Sequence, residues 1–173
     1  MKSSMKTFLI IILAGATAAL TYVVRIPIPG TGGYLNFGDI AVVFCGLFLG
    51  KKYGAVAGGV GSALADVIGG FFVFAPITLV AKGLEGFLAG TIGGMGKSTG
   101  DFKSSILKMV IIFLTAGIAM VAVYFISELF LPGVGFGAAL NEIPFNLIQA
   151  FVGAFGGYFV YYMVTKAIPS KAS

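Results

Sequence analysis

Apolar residues fill this chain in runs separated by Gly/Pro-rich or charged breaks. Lys2 and Lys6 precede an apolar run over residues 8–24, close to the roughly 20 residues that a membrane helix needs. The same stretch mimics a cleavable signal, because its Lys-rich start leads to Ala14-Gly15-Ala16. It stays apolar where a mature N-terminus would turn polar, so a retained first helix is expected. Arg25 ends that helix. Residues 26–38 hold two prolines and four glycines, which predicts a loop rather than a strand or helix. Asp39 suits the N-cap of a second, short helix over residues 40–50. Lys51-Lys52-Tyr53-Gly54 reads as a tight turn, followed by helices over about 55–67 and 77–92. A polar loop at 93–105 leads to a fifth helix over 106–129. A Pro/Gly break at 131–140 then precedes a sixth helix, from about 141 to 166.

Composition turns this pattern into a membrane protein. Hydrophobic residues make up 58% of the 173 positions and charged residues only 10%, whereas a soluble domain carries about 25% charge. The expectation is an all-α integral membrane protein: a six-transmembrane-helix bundle forming a single membrane domain over residues 1–173. The net charge of +5 follows topology, since no basic patch interleaves with aromatics to suggest nucleic acid. With the N-terminus inside, the inner segments collect Lys2, Lys6, Lys51, Lys52, Lys97, Lys103, Lys108, Lys166 and Lys171, and the outer ones only Arg25. Both termini are therefore expected to be cytoplasmic, in a multi-pass plasma-membrane protein. The chain has no His and only Cys45, which excludes His-based zinc sites, Ser-His triads, His relays and disulfides. Gly30-Thr31-Gly32-Gly33 lacks the Lys-Ser/Thr sequel of a phosphate loop. No enzyme, metal or cofactor is expected.

Against that background the ionisable residues stand out. Asp66, Ser62 and Gly58 share one helix face at a spacing of four, and Lys82, Gly86 and Gly90 repeat the spacing on the next helix. A charge at mid-membrane costs roughly 2.5–3.5 kcal/mol, so such groups pair or line a polar cavity. Lys82 is expected to pair with Asp66 and to donate to a ligand, with Glu85 as its neighbour one turn on. Asn146 and Gln149 follow Glu142 on one face of the sixth helix and would add hydrogen bonds. Asp39, Asp66, Glu128 and Glu142 fall near outer helix ends, and Tyr34 and Asn36 lie in the outer loop, where Tyr34 would cover a ring face. The candidate substrate-binding set is thus Tyr34, Asn36, Asp39, Asp66, Lys82, Glu85, Asn146 and Gln149. Inner helix halves are almost purely apolar, which describes a receptor-like cavity rather than a pore. Ala14 and Ala18, four apart on the first helix, offer a small-residue face for packing or for docking a second membrane protein.

Gly33-Tyr34-Leu35-Asn36-Phe37-Gly38-Asp39, the stretch from Gly58 to Asp66 with Gly69-Gly70, Ala75-Pro76, and Lys82-Gly83-Leu84-Glu85-Gly86 resemble the S components of energy-coupling factor (ECF) vitamin transporters. The riboflavin-type branch, with its pyridoxine- and hydroxymethylpyrimidine-type members, is the nearest in pattern. This resemblance implies a non-enzymatic subunit that captures a water-soluble vitamin or precursor from outside. It implies as partners a transmembrane coupling protein and two cytoplasmic ATPase subunits. It further implies that residues 26–38 cap the site and that Ala14 and Ala18 contact the coupling protein. The alternative is a self-contained small-solute permease or channel, which would transport without partners.

The orientation is testable on its own. A cysteine placed at Thr31 should react with an impermeant thiol reagent in intact cells, and one at Ser98 should not. Equal labelling at both positions would overturn the topology.

Overall fold

A computed structural model describes residues 3–95 and 102–167; Lys2, Lys97, Ser98, Asp101 and Lys171 lie outside the described residues. The elements are α1 (Ser3–Val23), β1 (Arg25–Pro27), β2 (Tyr34–Asn36), α2 (Gly38–Leu49), α3 (Lys51–Gly69) and α4 (Ala75–Gly93). They are followed by α5 (Phe102–Ile112), a π-helical segment (Phe113–Gly117), α6 (Ile118–Leu129) and α7 (Gly135–Ala167). Helices α5 and α6 run through the π segment as one continuous rod, so six helical rods are present among the described residues. The architecture is all-helical apart from one small hairpin.

Three of these helices, Ser4–Val23, Lys103–Leu129 and Gly135–Ala167, are long and apolar enough to cross a membrane, and α2 is a shorter apolar helix. The bundle is apolar outside as well as inside. Phe8, Val60, Val80, Leu114 and Phe159, on five different helices, are each at least 48% exposed. A soluble monomer does not present such a belt.

Several boundaries differ from the sequence expectation. Residues 26–38 are not a plain loop: β1 and β2 pair antiparallel, with Ile26 opposite Leu35 and Pro27 opposite Tyr34. Pro29, Gly30, Gly32 and Gly33 occupy the connecting turn, Pro27 ends the ladder, and Gly38 opens α2. Asp39 is not the N-cap of α2; Phe37 is, and Asp39 lies in the first turn. The predicted turn at 51–54 is already helix, because the chain reverses at a single residue, Gly50, with a φ of 81° that favours glycine. Helix α7 begins six residues before the expected start at 141 and carries Pro144 in its interior.

Helix α2 sits centrally, packed against α3, α4 and α7, while α3 and α4 form the most extensive pair. Their closeness depends on missing side chains. A Cβ at Gly46 would lie 2.5 Å from the Gly86 carbonyl oxygen, and one at Gly86 would lie 2.7 Å from that of Gly54. Backbones of α2, α3 and α4 therefore meet directly, as small residues permit in membranes. At the same end of the bundle, Val43, Leu47, Ala89, Ile112, Ala116 and Tyr158 form an apolar cluster. The polar residues gather at the opposite end.

Gly86→Val should separate α4 from α3 and destabilise the fold by about 1–3 kcal/mol, as overpacking does. A lowered thermal midpoint in detergent is the expected result. An unchanged midpoint would show that the three helices do not need this contact.

Candidate functional site

The sequence has six acids, and five of them, Asp39, Asp66, Glu85, Glu128 and Glu142, are buried in the polar half of the bundle, each at most 4% exposed. The sixth, Asp101, is outside the described residues. Lys82, on α4, is equally buried and lies among them. Its ammonium donates to Asp39 Oδ1 on α2 and, at 3.4 Å, to Glu85 Oε2 one turn along its own helix. Burying these charges is tolerable only because they are paired and hydrogen-bonded to each other.

The Asp39 carboxylate extends this contact to a third helix. Gln149 Nε2, on α7, donates to Asp39 Oδ1 at 3.1 Å, while Gln149 Oε1 accepts from the Asn36 backbone N–H at 2.8 Å and from Asn36 Nδ2 at 3.2 Å. Asn36 Oδ1 in turn accepts the Gly38 N–H at 2.7 Å, one of the free donors at the start of α2. One polar chain thus ties α4, α2 and α7 to the hairpin. The approach of α7 needs a bare backbone at Gly153, where a Cβ would stand 2.5 Å from Asp39 Cβ.

A second set of contacts lies on the α3 side. Tyr34, on β2, donates its hydroxyl to Asp66 Oδ1, and its ring packs on Phe71 with centroids 4.8 Å apart. Burial pushes the Tyr34 hydroxyl well above the ordinary tyrosine value, and the Asp66 carboxylate beside it adds to the rise, so Tyr34 acts as a donor. Arg25 lies 4.2 Å from the Tyr22 ring centre and 5.7 Å from that of Tyr34, a cation–π bracket at the hairpin base. Tyr124 donates to Thr78 Oγ1 at 2.9 Å and turns its ring toward Lys82 Nζ, 5.6 Å away.

These groups surround a cavity of about 410 Å³, counting its open mouth, bounded by the hairpin and by α1, α3, α4, α6 and α7. A separate hollow lies where the hairpin tip, the α3–α4 connection and the α6–α7 connection meet, and Phe74 borders both. In the cavity lining, Thr21 Oγ1 and Ser62 Oγ are buried without a hydrogen-bond partner among the described residues, beside the Asp66 carboxylate and the paired Glu128 and Glu142 carboxyls. Leaving such a group unsatisfied costs about 1–3 kcal/mol. A polar ligand would recover that. Among the described residues, no group of three His, Cys, Asp or Glu is arranged to hold a metal ion.

Of the residues expected at the site, Tyr34, Asn36, Asp66, Lys82, Asn146 and Gln149 line the cavity, whereas Asp39 and Glu85 lie beneath it as the anions of Lys82. The expected Lys82–Asp66 pair is not made: Asp66 is taken by Tyr34, and Lys82 turns to α2. Sequence reasoning left Thr21, Thr78, Tyr124, Glu128 and Glu142 out of the set, although all five line the cavity. Spacing could have recruited some of them. Thr78 precedes Lys82 by four, Glu142 precedes Asn146 by four, and Tyr124 precedes Glu128 by four. Ala14 and Ala18 do not form a free surface. Ala18 is buried, and a Cβ at Gly61 would run into the Ala14 carbonyl, so this face packs α1 on α3. Beside them α1 exposes Gly15, Ala16 and Ala19.

A polar cavity with unsatisfied groups at one end of an apolar helical bundle defines a membrane protein that binds a small polar molecule. The profile of the ECF-type riboflavin transporter S component family matches residues 1–166. The chain belongs to that family, the substrate-binding subunits of ECF transporters. It is 40% identical over 153 residues to an uncharacterized protein in a gap 3′ region of Pyrococcus woesei, covering 88% of this chain and 97% of that one. It is 28% identical over 153 residues to the thiamine precursor transporter HmpT of Lactococcus lactis subsp. cremoris (strain MG1363), covering 88% and 82%. The S component of a bacterial ECF transporter superposes with a TM-score of 0.71 at 21% identity, covering 98% of this chain and 100% of the other. The S component for biotin of an ECF-type ABC transporter also gives 0.71, at 15% identity, covering 96% and 95%. These two likenesses establish the S-component fold.

Lys82→Met should leave two buried carboxylates without their cation and destabilise the protein by about 3–5 kcal/mol. Adding Asp39→Asn should return part of that loss in a double-mutant cycle followed by denaturation in detergent. Full stability in Lys82→Met alone would remove this lysine from the structural centre of the site.

Proposed function

We propose that this chain captures a water-soluble vitamin or vitamin precursor, a small flat heteroaromatic of the hydroxymethylpyrimidine, pyridoxine or riboflavin kind, for ATP-driven uptake. The observation that carries the reading is the polar cavity with buried, unpartnered hydroxyls set beside several carboxyl groups. Its modest volume favours a single-ring ligand, as does the kinship with a thiamine precursor transporter. Tyr34, Asn36, Asp66, Lys82, Asn146 and Gln149 contact the ligand, and Asp39 and Glu85 hold Lys82 in place. Residues 26–38 act as the cap of a single membrane domain over 1–173. The hairpin hydrogen bond from Asn141 Nδ2 to the Pro29 carbonyl oxygen, 2.9 Å, latches that cap to α7.

In this reading six helices span the plasma membrane with both termini cytoplasmic, and the cavity opens to the outside. The Lys asymmetry of the sequence supports it. Energy comes from partners, a transmembrane coupling protein and two cytoplasmic ATPase subunits, because the chain carries no phosphate-binding loop. The exposed face of α1 is the docking surface. Gly15 and Ala19 are four apart, and a Cβ at Gly15 would meet nothing within 4 Å inside this chain.

Two measurements test the proposal. Mass spectrometry of the protein purified in mild detergent should identify a bound vitamin-like heterocycle. Gly15→Leu with Ala19→Leu should abolish uptake in cells while affinity measured on purified protein stays within about twofold. Uptake in the absence of any coupling module would instead make the chain a self-contained permease.

A further inference from the structure

The charge balance of the cavity is unequal. Its ammonium, Lys82, is already engaged by Asp39 and Glu85 below, and Arg25 is held against aromatic rings at the hairpin base. The other charged groups of the lining are acidic: Asp66, Glu128 and Glu142. Glu128 and Glu142 are neighbours across the α6–α7 junction. Their carboxyl groups hydrogen-bond to each other and are buried at the edge of the cavity. Acids alone would not make a site. The Thr21 and Ser62 hydroxyls, 2% and 1% exposed, border the same space and are unpartnered among the described residues. The hairpin is also seated directly on this pair, since any Cβ at Gly33 would collide with the Glu142 carboxylate. The arrangement is roofed, rich in acceptors and short of free cationic donors.

Resting on the vitamin-binding reading, we propose that Glu128 and Glu142 are the specificity-determining end of the cavity. They take the N–H edge of an amino-substituted nitrogen heterocycle, neutral or singly cationic, and exclude anionic vitamins. Carboxyl groups side by side offer acceptors to an exocyclic amine and to an adjacent ring nitrogen that carries a proton. The Thr21 and Ser62 hydroxyls serve a ligand hydroxyl or a ring acceptor. A ligand carboxylate or phosphate placed here would face like charge in a water-poor space, with no unpaired cation among the described lining residues to receive it. Discrimination therefore comes from repulsion as much as from attraction.

The test is calorimetry on the full chain in detergent, with hydroxymethyl aminopyrimidine, riboflavin and biotin as titrants. The expected order is aminopyrimidine binding at least about tenfold tighter than biotin. Glu128→Gln and Glu142→Gln should each weaken the aminopyrimidine by at least about tenfold, the loss of a hydrogen bond to a charged group. Both substitutions keep side-chain shape, and the comparison of titrants on the unaltered chain decides even where a variant fails to fold. Biotin binding as tightly as the aminopyrimidine, or unchanged affinity in both glutamine variants, would overturn the proposal. Tight riboflavin binding without aminopyrimidine binding would overturn it too, yet leave the vitamin-binding reading intact. Failure of every titrant, with no molecule co-purifying, would remove both.

Discussion

Everything in the polar half of this protein depends on one buried ammonium. Lys82 is too deep to reach water by extending its side chain, so the fold must supply its counter-charges. It does so from two directions, Glu85 on the same helix and Asp39 on α2. Meeting that demand fixes α2 against α4, and through Gln149 it also fixes α7 and the hairpin. A single electrostatic requirement thereby organises four elements around a common floor.

That floor can form only because the helices approach more closely than ordinary side chains allow. Gly46, Gly54 and Gly86 bring the backbones of α2, α3 and α4 into contact, and Gly153 does the same for α7 beside Asp39. In a bilayer, apolar burial between helices gains little, so packing contact and polar pairing carry the association. The two halves of the bundle divide the task. Small and apolar residues lock one end, and the other end can afford an open, polar interior because it is held from below.

Function follows from what the floor leaves unused. Lys82 spends two of its three N–H donors on Asp39 and Glu85, and it also lines the cavity. The hairpin reaches into the site through Tyr34 and Asn36 and covers it through Gly33. The hairpin thus provides part of the cavity wall.

Several of these features were legible in the sequence. The apolar runs foretold six helical rods, since a long apolar run can satisfy its own backbone hydrogen bonds in lipid by folding as a helix. The spacing of Ser62 with Asp66, and of Asn146 with Gln149, marked cavity-facing sides, because helical periodicity is a local property. Which acid meets which base was not local. Asp66 looked like the partner of Lys82 because α3 and α4 are sequence neighbours, but α2 passes between α4 and α7 and brings Asp39 closer. The π-helical segment at Phe113–Gly117 carries no local signal either; at Gly117 a Cβ would stand 2.8 Å from Ala150 Cβ, a contact made across the bundle. Glu128 and Glu142 read as separate acids at two helix ends until the α6–α7 junction set them side by side. Periodicity and solvent determined the helices and their polar faces, whereas long-range packing alone decided the pairing of charges, because contacts between distant segments leave no trace in the spacing of either one.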